Sequence, residues 1–308
     1  MNRKMKSWVE AMRLHTLPVS IAGVLAGTAV AVAYQDYKPF PAAICLIFAV
    51  LAQIASNFAN EYYDYRYGLD KKGREGFRRG VTEGDLTPGA MKVATFLTLG
   101  LACAAGLSLI YWGGWWLLIP GVLIALFALA YSTGPYPLSH HGLGEAAVVV
   151  FFGLVPVSLT AYVQAGPIAA FSPESFCIGA GIGLMAANVL VMNNYRDTED
   201  DRKVGKRTLA VRFGPRVMSF LYLFCGLVGV TLIAYGTFLC ADFSDTSHAR
   251  IARRAILTFL IIAVAVVALY RDMQKKKGAQ LNALLGKTAK LLLLTSLFTL
   301  VIILICNF

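Results

Sequence analysis

Two short stretches hold the residues that could do chemistry. In Asn57-Phe-Ala-Asn-Glu-Tyr-Tyr-Asp-Tyr-Arg-Tyr-Gly-Leu-Asp70 an apolar run ends in three carboxylates, Glu61, Asp64 and Asp70. Asn60 and Asp64 stand four residues apart, on one helix face a turn apart, and Gly68 can end the helix so that Asp70 folds back from a loop. In Asn193-Asn-Tyr-Arg-Asp-Thr-Glu-Asp-Asp201 a second apolar run ends with Asn193, Asp197 and Asp201 at successive i, i+4 positions. Carboxylates at a helix C-terminus oppose the helix dipole, so such a stripe calls for a cation. Mg2+ takes few protein ligands, prefers oxygen and fills its shell with phosphate oxygens. Two facing carboxylate and amide clusters therefore suit two Mg2+ ions on a diphosphate. An ordinary wetted helix end explains either stretch alone, but not its recurrence.

The elements that must position these residues are read from the apolar runs. The chain has 308 residues, 57% hydrophobic and 15% charged, which favours a multi-span membrane protein over a soluble one. Runs of crossing length predict an all-α polytopic fold with nine transmembrane helices, at roughly 17–35, 41–63, 91–112, 115–132, 143–164, 173–195, 215–240, 251–270 and 285–306. The first run follows basic residues and Ala31-Val-Ala33 resembles a cleavage site, but it is too long for a signal peptide. The linkers are short, so the chain reads as one domain over 1–308, with cytoplasmic cap loops at about 66–90, 132–142 and 196–216. The first cap interleaves six glycines with bases at 66, 71, 72, 74, 78 and 79, a flexible cationic segment.

Of the 28 Lys and Arg residues, 24 fall in the N-terminal segment and the loops after spans two, six and eight. Only Lys38, Arg250, Arg253 and Arg254 fall on the other side. The positive-inside rule then puts the N-terminus in the cytoplasm, the C-terminus outside and both acidic motifs at the cytoplasmic face. Topology thus explains the net charge of +11 without a nucleic-acid partner. The six cysteines are scattered singly and read as small buried hydrophobes, with neither disulfide nor zinc spacing. The Asn-x-x-x-Asp repeat at 60–64 and 193–197 hints at internal pseudo-symmetry.

A diphosphate bound inside a membrane belongs to a lipid. Metals and bases that meet charge building on it as the C–O bond breaks make it a good leaving group, and an allylic lipid leaves a stabilised carbocation. Tyrosines at 62, 63, 65, 67, 131, 136 and 195 could face that cation or simply form an interfacial belt.

The two motifs, on spans two and six, resemble those of the UbiA superfamily of intramembrane prenyltransferases. Further matches resemble the branch that prenylates 1,4-dihydroxy-2-naphthoate in menaquinone synthesis. They are Trp8-x-x-Ala11-x-Arg13-x-x-Thr16-Leu-Pro18, Gly68-x-Asp70-x-x-x-Arg74-x-Gly76-x-x-Arg79, Gly134-Pro-Tyr-Pro-Leu138 with Gly142-Leu-Gly-Glu145, and Asn193-Asn-x-Arg-Asp197-x-x-x-Asp201-Arg-x-x-Gly-Lys-Arg-Thr-Leu-Ala-Val211. The resemblance implies helices around a central cavity open sideways to lipid in the bacterial inner membrane. It implies one Mg2+ on Asn60, Asp64 and Asp70 and another on Asn193, Asp197 and Asp201, with Arg74, Arg79 and Lys206 contacting the diphosphate. The implied reaction moves the prenyl group of a polyprenyl diphosphate onto the naphthoate, with loss of CO2, giving demethylmenaquinone. Glu61 stands where the family commonly has Asp, which alters how that carboxylate would reach a metal, and Phe77 replaces a frequent proline.

Two other readings compete. A 4-hydroxybenzoate-type acceptor is disfavoured because no Lys or Arg follows span four within Tyr131-Ser-Thr-Gly-Pro-Tyr136. A cation-coupled transporter would place its site near the bilayer midplane on broken helices, whereas these motifs lie at span ends.

Overall fold

In hydrocarbon a backbone finds hydrogen-bond partners only within itself, so apolar runs of this length close into helices. The computed structural model describes residues 2–73, 75–241 and 246–307. These form α1 (Arg3–Met12), α2 (Leu17–Ala33), α3 (Pro39–Arg66), α4 (Pro88–Ser108), α5 (Ile110–Gly113), α6 (Leu118–Ala130), α7 (Gly144–Val148), α8 (Val155–Ala170), α9 (Pro173–Lys203), α10 (Leu209–Cys240), α11 (Thr246–Lys275) and α12 (Leu281–Asn307). Pro opens α3, α4 and α9, where its missing N–H costs nothing. Side chains of Thr87, Ser172 and Thr208 cap α4, α9 and α10 by accepting from Ala90, Ser175 and Val211.

Among the described residues eight helical stretches are long and apolar enough to cross a membrane, and Trp115–Ala130 is a shorter apolar one. All nine expected spans thus have a helix. The fourth, at 1.5 Å per residue, reaches about 24 Å against about 30 Å of hydrocarbon. The protein is an all-α integral membrane protein.

Apolar surface gains nothing by leaving lipid for protein, so close backbone approach must hold the helices together. α9, the most enclosed span, shows how. Its Gly181 faces Gly229 of α10, and its Gly179 and Gly183 face Gly153 in the π-helical segment Val149–Leu154 that joins α7 to α8. Gly27 of α2 lies against Val157 and Thr160 of α8. α12 completes the enclosure by packing on α2 and α9.

The segment between α3 and α4 is a folded cap with several anchors. Glu61 is fully buried and accepts the Val81 N–H at 3.0 Å. Asp85 receives Arg3 at 2.7 Å, the Ser7 hydroxyl at 2.8 Å and Arg78. Glu75 donates its N–H to Asp200 and accepts that of Ala279, both at 3.0 Å. Phe77 stacks on His15 with ring centroids 4.0 Å apart. The loop expected at 196–216 is shorter than the sequence suggested: α9 runs on to Lys203 and α10 begins at Leu209. The polar end of α9 stays helical because Arg202 pairs with Glu199 and Lys203 with Asp200, each three residues apart.

A Cβ on Gly153 would fall inside contact distance of Gly179 O and Gly183 Cα, both backbone atoms. Gly153→Val is therefore expected to destabilise the protein by about 2–3 kcal/mol and to lower its melting temperature in detergent. Gly121→Ala, where an added Cβ meets nothing within 4 Å, should leave it unchanged or slightly raised.

Candidate active site

α3 and α9 end in the same backbone device. After α3 the chain reverses at Gly68 (φ +68°), where Gly68 N–H donates to Tyr65 O at 3.0 Å and Leu69 N–H to Asp64 O at 2.8 Å. After α9 it reverses at Gly205 (φ +79°), where Gly205 N–H donates to Arg202 O at 3.2 Å and Lys206 N–H to Asp201 O at 3.0 Å. Each is a Schellman cap, in which glycine adopts the left-handed conformation at no steric cost. The first returns Asp70 over the end of its helix. The second returns Lys206.

The two ends meet at Asp64. Lys206 Nζ donates to Asp64 Oδ2 at 2.8 Å, and His140 Nε2 lies 3.3 Å from Oδ1. Asn60 Nδ2 donates to Asp64 Oδ2 at 3.4 Å and to Ser132 Oγ at 3.1 Å, while Asn60 Oδ1 accepts from Arg13. Arg79 Nε lies 3.3 Å from Asp70. In the second motif Asn193 Nδ2 donates to Asp197 Oδ2 at 3.5 Å, and Arg196 donates to both residues. Burial alone would depress Lys206, but Asp64, Asp201 and Asp70 and the bond to Asp64 outweigh it, holding its ammonium above the usual lysine range.

Asn60, Asp64, Asn193, Asp197 and Asp201 all line one cavity of about 150 Å³, together with Arg79 and Lys206. The sixth motif residue, Asp70, does not line it and instead holds Arg79. Arg74 lies outside the described residues. Among those described, no three His, Cys, Asp or Glu side chains form a ready-made metal cage. The second motif offers the cavity two carboxylates and an amide, and the first a carboxylate and an amide with Asp70 held by Arg79, oxygen donors that suit a hard ion whose remaining ligands come from water and phosphate. A second, apolar cavity of about 130 Å³ shares Gln53, Ser56, Phe127 and Phe152 with the first.

Several expectations need correcting. Glu61 does not approach the cavity: its extra methylene lets it reach the Val81 N–H, so it anchors the cap. Of the seven tyrosines only Tyr131 lines the cavity. Tyr65, Tyr67 and Tyr136 are exposed, and Tyr62 packs into a cluster with Phe58 and Met91. The other aromatic walls are Phe127 and Phe152, inconspicuous within apolar runs. His140 touches Asp64, and the 131–143 turn that carries it is tied down by Arg207 N–H donating to His140 O at 2.8 Å. Arg13 enters the sequence reading only through topology and resemblance. Its place between Trp8 and Pro18 is the available signal, but not its left-handed φ of 52°, which aims it at Asn60.

Residues 20–293 match the model of the UbiA prenyltransferase family. A 1,4-dihydroxy-2-naphthoate octaprenyltransferase of Escherichia coli is 39% identical over 232 residues, covering 73% of each chain. Its counterpart in Haemophilus influenzae is 34% identical, over 78% of this chain and 79% of its own. Among solved structures, a UbiA homologue from Aeropyrum pernix superposes with a TM-score of 0.65 over 99% of both chains at 15% identity. One from Archaeoglobus fulgidus, bound to GPP and Mg2+, gives 0.64 over 96% of this chain and 99% of that one at 17% identity. The motif-bearing helices lie within the matched residues and the fold agrees along almost the whole chain, so the chain belongs to the UbiA prenyltransferase family.

Proposed function

We propose that this protein transfers a polyprenyl group from a polyprenyl diphosphate to 1,4-dihydroxy-2-naphthoate, releasing diphosphate and CO2. The adjacency of the two cavities, one lined by the acidic motifs and one apolar, with four lining residues in common, carries this reading. It suits a molecule with a charged head and a long apolar tail, its head among the acidic motifs and its tail on the side of Phe127 and Phe152. The naphthoate acceptor is supported by the relatives that are 39% and 34% identical to this chain over the aligned residues.

The donor set fits Mg2+. One ion would be held by Asn60, Asp64 and Asp70 and a second by Asn193, Asp197 and Asp201, and they would neutralise charge on the leaving diphosphate. Arg79, Lys206 and Arg74 would contact the same diphosphate. As the C–O bond breaks, its electron pair leaves with the diphosphate, and Phe127, Phe152 and Tyr131 shield the allylic cation from water. A ring carbon of the naphthoate attacks that cation to form the new C–C bond. Departure of the carboxylate as CO2, whose C–C bonding pair returns to the ring, restores aromaticity with no net change in protons and gives demethylmenaquinone in its hydroquinone form. The bacterial relatives and the distribution of Lys and Arg favour the inner membrane, with the N-terminus and the site on the cytoplasmic side and the C-terminus outside.

Asp64→Asn and Asp197→Asn are each expected to lower kcat by about 10²–10³-fold or more while the protein stays folded in membranes. Near-normal turnover in either would remove the two-ion assignment. Purified protein given a polyprenyl diphosphate should release diphosphate only with Mg2+ and 1,4-dihydroxy-2-naphthoate, and stop on chelation with EDTA. Release with 4-hydroxybenzoate instead of the naphthoate would move the acceptor and keep the mechanism.

A further inference from the structure

Resting on that reading of the site, we propose that Arg196 is a positioning residue. Its guanidinium sets Asn193 and Asp197 in register for a divalent cation and is itself aimed by Asn282 of α12 and Phe77 of the cap.

Neighbouring residues on a helix point about 100° apart and do not face each other, so the helix alone does not bring Arg196 onto Asp197. Yet Nε donates to Asp197 Oδ1 at 2.7 Å and Nη2 to Oδ2 at 2.8 Å, a bidentate fork. Nη2 also donates to Asn193 Oδ1 at 2.8 Å. Arginine has donors only, so the oxygen end of the Asn193 amide must face it and the nitrogen end turns to Asp197. The remaining edge of the guanidinium is taken by Asn282, with Nη1 donating to Oδ1 at 2.7 Å. One face is covered by the Phe77 ring, whose centroid is 5.3 Å from Cζ, and His15 stacks on Phe77 in turn.

Arg196 is 7% exposed and does not line the cavity, whereas the two residues it grips do. It therefore acts through Asn193 and Asp197 rather than on the substrate. The fork fixes the rotamer of Asp197, and that side chain lines the cavity, so its carboxylate is held at the cavity wall without a search. Plain charge balance for a buried carboxylate would need only a cation. Orientation needs the planar fork and its braces, and a lysine would supply the charge without the fork.

The test is Mn2+ binding by the full-length protein in detergent, read by electron paramagnetic resonance with inorganic diphosphate present and no prenyl donor or acceptor. Arg196→Lys is expected to bind Mn2+ about 10-fold more weakly than wild type and Asn282→Ala several-fold more weakly, with melting temperatures close to wild type. The Mg2+ concentration for half-maximal activity should shift in parallel, while KM for the prenyl donor at saturating Mg2+ stays within about twofold. If Arg196→Lys does not fold, Asn282→Ala, which leaves the Arg196–Asp197 pair in place, decides alone. Wild-type Mn2+ affinity in the folded variants overturns the role given to Arg196. Absence of saturable Mn2+ binding in the wild type, or binding that Asp64→Asn and Asp197→Asn leave untouched, overturns the metal reading instead.

Discussion

Four buried carboxylates, Asp64, Asp70, Asp197 and Asp201, are gathered at the ends of α3 and α9 and in the turn that follows α3. At an effective dielectric of about 20, two like charges 4 Å apart repel by about 4 kcal/mol. Much of the surrounding structure answers that repulsion. Lys206 sits on Asp64, Arg79 beside Asp70 and Arg196 on Asp197. Each base comes from a segment that folds back over a helix end or from the helix end itself, so the caps around the site are a way of carrying positive charge to it. Buried ion pairs of this kind roughly break even for stability, because desolvation offsets the attraction. The arrangement is better understood as the maintenance of a charged site than as a source of stability.

The matched Schellman caps make this possible with little chain. Each takes the last exposed carbonyls of its helix and turns the chain back within two residues, but the helix C-terminus repels the anions it holds. The two ends resolve that conflict differently. After Gly68 the chain returns another acid, Asp70, and needs Arg79 from the cap to balance it. After Gly205 it returns a base, Lys206, which reaches across to Asp64 of the other motif. The Asn-x-x-x-Asp repeat thus corresponds to a shared backbone device, and the complementarity lies in the side chain that each reversal returns.

Much of this was legible in the residues. The spans follow from apolar run length, and the reversal at Gly68 follows from glycine's place after an acidic helix end. Gly205 offered the same signal within Val-Gly-Lys, but a polar loop was expected to begin at Arg196. Hydropathy marks where a helix leaves the bilayer and says nothing of where it stops, and the i, i+3 pairs of Arg202 and Lys203 carry α9 further. The contacts of Arg13, His140 and Arg196 were not legible because they depend on left-handed backbone, a tied-down turn or bracing from a distant helix. Glu61 misled for a related reason. Composition identifies a carboxylate but not its direction, and here the extra methylene points it at a backbone N–H in the cap.

Charge balance bears on how many ions the proposed reaction needs. The four aspartates are roughly cancelled by Arg13, Arg79, Arg196 and Lys206, all within the site or its immediate supports. A prenyl diphosphate adds about three negative charges to this neutral cluster. One divalent ion leaves the loaded site about one unit negative, which disfavours further charge on the leaving group. A second brings it to about one unit positive, the sign that stabilises a departing diphosphate. An ion on Asp64 would also release Lys206 from its present partner, beside the place where the phosphates would lie. The base that now balances the acid would then balance the leaving group, with no new charge brought from elsewhere. The side chains thus neutralise one another but not the site loaded with the prenyl diphosphate, and a second ion of the kind proposed above would supply that difference.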